Sequence, residues 1–382
     1  MPTQVRSAAI TPKLRPGMLN RRALNRALLA RQLLLERSDS TVHNALTHLV
    51  GLQAQTPNAP YIALWSRLKN FAPKDLAELI CDRRVVRIAL MRGTIHSVTD
   101  RDCLELRPHF AGVLERSMRG AFGKQISGLN LKEVETTARK LLKKQPLTFE
   151  ELGKLLSKKW PKCNPDALAN AARAVVPLVQ IPPRGIWGEG GLAIHAPVET
   201  WLGKPLCATP SLDLMVYRYL AVFGPATVRD VQAWSGLTGL RPLLETMRKN
   251  LITFLDEEKD ELFDLPDAPR PGADSLAPPR FLPVFDNALL SHADRRRIVS
   301  ETHRKTLFGT AALLEGSVLI DGFVGAKWKI SQDAARAVLT IAPLLRLRNS
   351  DRAAISEEGT RLLTFAFPAF REQEIQFAKA DY

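Results

Sequence analysis

The sequence predicts a mixed α+β protein, mostly helical, in which three tandem winged-helix units precede a small, barrel-like β domain. One plan, helices followed by extended residues, recurs about three times along the chain. The last hundred residues then change to alternating extended runs, which are typical of a separate β-rich domain. The length of 382 residues is enough for two or three domains.

The first predicted unit covers residues 19–145 and follows a polar, basic lead-in, residues 1–18, that we expect to be disordered. Asn20 is placed to cap one helix, and a second begins near Thr41. In residues 85–98, apolar side chains alternate with other side chains, which is typical of a β-strand. Thr99, followed three residues later by an aspartate, is typical of a helix start.

The second unit is predicted at residues 146–206 and the third at 207–266. Thr148 and Thr227 each precede an acidic residue by three positions, which is the spacing of a capping box. In the third unit, residues 241–250 have the length of a recognition helix, and residues 251–265 form a hairpin. A proline-rich linker, 267–280, leads to the β-rich domain, 281–382, where Asp321 and Gly322 are a strong hairpin signal. We also expect an extended run at residues 361–365.

Composition indicates a polyanionic partner. The net charge is +15, with 45% hydrophobic and 24% charged residues. Such an excess attracts nucleic acid, and because the basic residues are spread along the chain, a long duplex is favoured over a membrane surface. No segment reaches the length of a membrane span. The four cysteines lack zinc or disulfide spacing, so we expect reduced thiols, a cytoplasmic protein and no metal.

Gln53 and Gln55 are the first candidate site. Gly51 is a typical helix stop and Pro57 disfavours helix before it, so both glutamines are expected in extended chain, on the same face. Two amides there could hold a water molecule while staying neutral. Two loop glutamines bonded to nearby backbone would give the same pattern, and spacing alone favours that interpretation.

Two further clusters carry polar chemistry. Residues 92–96 combine Arg92, Thr94 and His96, which could contact phosphate or base, although a strand bulge with a surface histidine is the simpler interpretation. Residues 285–295 bring acid, amide, imidazole and guanidinium together, either as a site or as surface ion pairs. The chain contains no Walker loop, dinucleotide fingerprint, serine-nucleophile elbow or zinc-protease motif, so no nucleotide cofactor is expected.

Five short motifs, in order along the chain, resemble the AlkZ-type DNA glycosylases, a family of winged-helix DNA-binding proteins. They are Leu52-Gln53-Ala54-Gln55-Thr56-Pro57, Met91-Arg92-Gly93-Thr94-Ile95-His96, Leu282-Pro283-Val284-Phe285-Asp286-Asn287, Ser291-His292-Ala293-Asp294-Arg295 and Val318-Leu319-Ile320-Asp321-Gly322. The resemblance implies three tandem winged helices joined to a C-terminal β-barrel, forming a C-shaped cleft around DNA. It implies that Gln53-Ala54-Gln55 matches a catalytic Gln-hydrophobic-Gln motif. One branch of the family has Asp at the second position, and this chain resembles the other, crosslink-unhooking branch.

The resemblance therefore implies a monofunctional DNA glycosylase that removes N7-alkylguanine or crosslinked bases and leaves an abasic site, with Gln53 and Gln55 catalytic. The residues expected to contact DNA are Arg92, Thr94, His96, Asn287, His292 and Arg295. Its partner would be double-stranded DNA carrying alkylated or crosslinked bases, without a cofactor. We expect a monomer in the bacterial cytoplasm, associated with the nucleoid.

Two other functions fit the same sequence. A non-catalytic DNA-binding regulator would read bases with Arg241, Arg248 and Lys249 on the third unit's helix. A protein-interaction scaffold would use the winged helices to dock partners and would not lose them to competing DNA.

Overall fold

The computed structural model describes residues 17–308, 315–333 and 336–379. The helices, in chain order, are α1 Arg21–Arg31, α2 Val42–His48, α3 Ala59–Arg67, α4 Pro73–Cys81, α5 Asp100–Leu106, α6 Ala111–Phe122, α7 Leu131–Lys144, α8 Phe149–Ser157, α9 Pro165–Val175, α10 Val198–Leu202, α11 Leu212–Phe223, α12 Val228–Ser235, α13 Arg241–Met247, α14 Asn287–Leu290, α15 Glu301–Phe308 and α16 Asn349–Ala366. The strands are β1 Gly17–Met18, β2 Leu52–Gln53, β3 Val85–Ala89, β4 Ile95–Thr99, β5 Leu147–Thr148, β6 Leu178–Ile181, β7 Ile194–Pro197, β8 Ile252–Leu255, β9 Glu261–Asp264, β10 Arg280–Leu282, β11 Gly316–Ile320, β12 Phe323–Gln332, β13 Arg336–Pro343 and β14 Glu372–Phe377. The prediction of a mixed, mostly helical α+β protein is confirmed.

The predicted helix caps are present. The side chains of Asn20, Thr41, Thr99, Thr148 and Thr227 each accept a hydrogen bond from the backbone N–H three residues later. Thr148 and Thr227 belong to complete capping boxes. Capping needs only residues within one turn, which is why the sequence could place these helix starts.

A six-stranded sheet has the order β2-β4-β3-β6-β7-β5. Its strands come from both sides of residue 146, where the sequence predicted a boundary between the first two units. β3 lies at the junction and pairs antiparallel with both β4 and β6. The glutamine segment, which includes β2, therefore lies at one edge of a sheet that the first two predicted units share.

A three-stranded sheet has the order β1-β8-β9. The β8–β9 hairpin follows α12 and α13, the two helices that the sequence predicted for the third unit, and these are preceded by α11, which it did not predict. Residues 1–16 of the predicted disordered lead-in lie outside the described residues. Its last two residues, Gly17 and Met18, instead form β1, because they pair in parallel with Phe254 and Leu255.

The C-terminal strands form an open sheet, so the predicted barrel is wrong. Its order is β10-β11-β12-β13-β14, with β10 and β14 at opposite edges. α16 is inserted between β13 and β14 and returns the chain so that β14 pairs parallel with β13 instead of closing on β10. The predicted extended run at residues 361–365 is also wrong, since it belongs to α16.

The proline-rich segment, predicted as a linker at 267–280, is held against α1. Arg22, Arg26 and Arg31 donate from Nε to the backbone oxygens of residues 273, 275 and 269, at 2.8, 2.7 and 3.1 Å. Its last predicted residue, Arg280, already begins β10. One hydrophobic cluster extends from α1 through the third unit into the C-terminal sheet, so the segment bridges packed parts of one core. No described helix is long and apolar enough to cross a membrane.

Candidate active site

The end of α2 sets the direction of the glutamine segment. Val50 and Gly51 have left-handed φ values of 55° and 85°, and the Gly51 N–H bonds to Leu46 O at 3.0 Å, which ends the helix. A Cβ on Gly51 would lie 2.9 Å from Ser97 O in β4, so only glycine permits this approach. The chain then leaves extended as β2.

Gln53 is buried and fixed from one side. It is 7% exposed and lies opposite His96 in the β2–β4 pairing. Its Oε1 accepts a hydrogen bond from Arg92 Nη2 at 2.8 Å, which fixes the orientation of the amide. Because a carbonyl oxygen has two lone pairs, Oε1 keeps the capacity to accept one more hydrogen bond.

Gln55 is exposed and lies in a bend just after β2, so the extended conformation predicted for both glutamines is found at Gln53 only. Its Oε1 accepts from the backbone N–H of Ile95 at 3.4 Å, a long contact. Ala54, between the glutamines, is fully buried, and its N–H bonds to Ile95 O at 2.7 Å. Both amide oxygens therefore accept hydrogen bonds from residues 92–95. The Gln53 side chain is buried, whereas Gln55 lies at the surface.

Arg92 joins three distant parts of the chain. Besides Gln53, its guanidinium donates to Asn287 Oδ1 and to Trp234 O, both at 2.9 Å. Burial, and then the charge of Arg295, lowers the pKa of Arg92 to about 10, so it stays protonated at neutral pH. The site thus contains the fixed positive charge of Arg92, which is hydrogen-bonded to the neutral amide of Gln53.

Three non-glycine residues in left-handed conformation lie in the segments that meet here. They are Val50, Arg92 and Phe285, with φ of 55°, 56° and 60°. This conformation costs about 1 to 3 kcal/mol per residue and persists only where the surroundings enforce it, which is common at functional sites.

Asn287 is held by a buried ion pair next to it. Asp286 accepts two hydrogen bonds from Arg67, at 2.9 and 2.8 Å, and both side chains are fully buried. Asp286 Oδ1 also accepts from the N–H of Ala288, which starts α14. Asn287 Nδ2 donates to Gly51 O at 3.3 Å, so it contacts both the glutamine segment and Arg92.

Two predicted DNA-contacting histidines are inside the protein. His96 is fully buried and His292 is 2% exposed. Burial, reinforced by the charge of Arg92 at His96 and of Arg297 at His292, lowers the pKa of each to about 3, so both are neutral. His96 Nδ1 contacts Thr94 O at 3.0 Å and His292 Nε2 contacts Phe223 O at 2.9 Å. Neither imidazole offers an exposed surface to a duplex, because each ring is packed in the fold.

Thr94 and Arg295 are partly buried. Thr94 Oγ1 donates to Met91 O at 3.1 Å within the turn that carries Arg92. The pKa of Arg295 is lowered by burial and then by the charge of Arg304, and Arg295 in turn acts on Arg92. The structure therefore brings Gln53, Arg92, His96 and Asn287 together, with Gln55 and Thr94 at the edge, while His292 lies against α11.

Sequence reasoning missed the residues that hold this site in place. Arg67 and Arg87 look like ordinary basic residues of a helix and a strand, and no local spacing marks their buried partners. No group of His, Cys, Asp and Glu suited to a metal occurs among the described residues.

Comparison with known proteins gives the family. The sequence model described as DNA glycosylase AlkZ-like matches residues 46–365. The solved structure of Streptomyces sahachiroi DNA glycosylase AlkZ is similar, with a TM-score of 0.73 and 20% identity over 94% of this chain and 99% of that chain. No curated protein matches the sequence. At 20% identity the structural likeness shows the fold alone, whereas the family match spans most of the chain. The chain therefore belongs to the AlkZ-like DNA glycosylase family.

Proposed function

We propose that this protein is a monofunctional DNA glycosylase that hydrolyses the N-glycosidic bond of N7-alkylguanine or crosslinked bases in double-stranded DNA. The observation that carries the proposal is the pair of neutral amides two residues apart at the end of β2, with Gln53 fixed by Arg92 and Gln55 exposed. The family of the chain and its net charge of +15 support DNA as the substrate.

The two amides have different tasks in this mechanism. Gln55 Oε1 has one long protein contact, so it can accept a hydrogen bond from a water molecule in the surface region. Gln53 Oε1, whose position is set by Arg92, accepts a second hydrogen bond from the same water molecule. A water molecule bound in this way has its oxygen free to attack C1′ of the damaged nucleotide.

The leaving base supplies the remaining driving force. Alkylation at N7 makes the guanine cationic, and when the C1′–N9 bond breaks, its electron pair neutralises that charge. The water oxygen forms the new bond to C1′ and its proton passes to solvent, leaving free base and an abasic site. An acid is not required for this step, which suits a site whose nearby His96 is held neutral by burial.

The hydrogen-bond partners of Gln53 and Gln55 are Arg92 and the Ile95 N–H, and the proposed mechanism uses a water molecule and forms no Schiff base with a lysine. The abasic strand should therefore stay intact until it is treated with alkali.

The test uses duplexes that carry N7-methylguanine or an N7 interstrand crosslink. Purified protein should release the base and create alkali-labile sites. The Gln53→Ala/Gln55→Ala variant should lose roughly 10²- to 10³-fold in the single-turnover rate, the usual effect of removing a group that acts in the transition state. Gln125→Ala, which removes an exposed glutamine amide between α6 and α7, should keep the wild-type rate. Equal rates in the double variant and the wild type would remove the glutamines from the mechanism.

The regulator alternative has less support at its recognition helix. Arg248 forms ion pairs with Glu245 and Glu261 at 2.7 and 2.8 Å, and Arg241 lies 3.7 Å from Glu245. Side-chain hydrogen bonds to both glutamates raise the pKa of Arg248. Two of the three cations predicted to read bases are therefore engaged within the protein.

A further inference from the structure

We infer that Arg184, on the β6–β7 connection, binds one phosphate of the DNA strand next to the Gln53-Ala54-Gln55 segment, with the buried Arg87 beneath it. The inference rests on the proposed function only for the identity of the polyanion. The site itself follows from the placement of two guanidinium groups.

Arg87 ties this location to the glutamines. It lies in β3, is 1% exposed, and donates from Nη2 to Ala54 O at 2.8 Å and to Gln180 Oε1 at 3.2 Å. Its Nε is buried without a hydrogen-bond partner. Arg87 thus contacts the residue that lies between the two candidate catalytic glutamines.

The β6–β7 connection is fixed on top of Arg87. Tyr61 Oη donates to Gly185 O at 2.8 Å and accepts from the N–H of Trp187 at 3.1 Å. Gly185 has a φ of 94°, and a Cβ there would lie 2.9 Å from Arg87 Nε, so the backbone can approach Arg87 only as glycine. These contacts hold the neighbouring Arg184 next to Arg87.

The two arginines have no carboxylate partner in the part of the chain that is described. Elsewhere the structure pairs fully buried arginines with acids, as Arg31 with Asp264 and Arg67 with Asp286. Burial and then the charge of Arg184 lower the pKa of Arg87 to about 10, so the two cations lie close enough to repel. An anion bound at this position would relieve that repulsion.

Arg184 is the member that can reach a ligand. It is partly exposed, and it donates from Nη1 to Gly191 O at 3.0 Å. Its Nε is a second buried donor without a partner. A phosphodiester offers acceptor oxygens suited to a guanidinium, and such contacts set the register of a protein on DNA. A phosphate held here would fix the damaged strand relative to the water that Gln53 and Gln55 bind.

The experiment measures equilibrium binding of an intact duplex, which needs no base release. Arg184→Gln should reduce the slope of log affinity against log salt by about 0.9, the value for one phosphate contact, which is roughly tenfold in affinity at 0.1 M salt. Arg184→Lys should keep most of the slope. The control, Lys74→Gln, removes an exposed positive charge from α4, whose neighbouring residues Asp75 and Glu78 are acidic, and it should leave the slope unchanged.

Neutral methylphosphonate linkages, placed one at a time around the lesion, locate the contact. One position should weaken binding by the wild type and cause no further loss in Arg184→Gln. An unchanged slope in Arg184→Gln, an equal change in Lys74→Gln, or additive losses at every linkage would each overturn the inference. Because binding is measured apart from base release, glutamine variants as active as the wild type, or a wild type that releases no base, would refute the proposed function and leave this phosphate site standing.

Discussion

Replacing Asp286 by alanine should destabilise the protein strongly, because it leaves a buried charge behind. The Arg67 and Asp286 side chains are both fully buried and share two hydrogen bonds. Breaking a buried ion pair by removing one partner costs about 3 to 5 kcal/mol. Asp286 also caps the start of α14, and losing a cap costs about 1 kcal/mol. The expected loss in the free energy of unfolding is therefore about 4 to 6 kcal/mol.

Urea denaturation followed by circular dichroism gives this free energy. The variant Arg67→Met/Asp286→Leu removes both charges and should recover most of the loss, because two apolar side chains then share the buried space. Asp39→Ala is the matched control, since its ion pair with Lys69 is largely exposed and should matter little. A loss below about 1 kcal/mol in Asp286→Ala, or a double variant as unstable as the single one, would refute the reasoning.

Three further predictions concern acid stability, amide placement and packing. The pKa values of His96 and His292 are lowered to about 3 in the folded protein, whereas a histidine in the unfolded chain has a pKa of about 6.5. Between these two values the unfolded chain binds more protons than the folded protein. The free energy of unfolding is therefore highest above pH 6.5 and falls as the pH drops towards 3, by about 2 kcal/mol per histidine at pH 5. Urea midpoints measured from pH 7.5 to 5 check this, and a flat profile would contradict it. Asn287→Ala removes an acceptor that orients Arg92, so kcat should fall about tenfold with little change in KM, and an unchanged kcat would show that Asn287 does not position Gln53. Gly316→Ala would force a Cβ into the Trp328 indole and to within 2.6 Å of Leu282 O, which should cost about 1 to 3 kcal/mol and lower Tm in a thermal scan, whereas an unchanged Tm would mean that β12 shifts freely.

Local rules account for what could be predicted in the fold. The helix starts at Asn20, Thr148 and Thr227 and the hairpin at Asp321 depend on residues within one turn of chain. The barrel prediction failed because the path of α16, which sends β14 to the far edge of the sheet, is set by packing against distant strands.

The candidate site divides in the same way. The five short motifs were enough to indicate the family, and the extended conformation of Gln53 followed from the helix stop at Gly51, whereas the chain already bends at Gln55. The burial of His96 could not be predicted, because the sequence around a histidine in a strand does not show whether other elements cover that side of the sheet.

The sequence by itself determined the net charge, the capped helix starts, the turns and the extended conformation of Gln53, because each depends on composition or on neighbours a few residues apart. Only the tertiary structure decided that Arg92 lies between Gln53 and Asn287, 39 and 195 residues away, and that Arg87 reaches Ala54. Contacts across such separations form only when whole elements pack, and no local pattern records them.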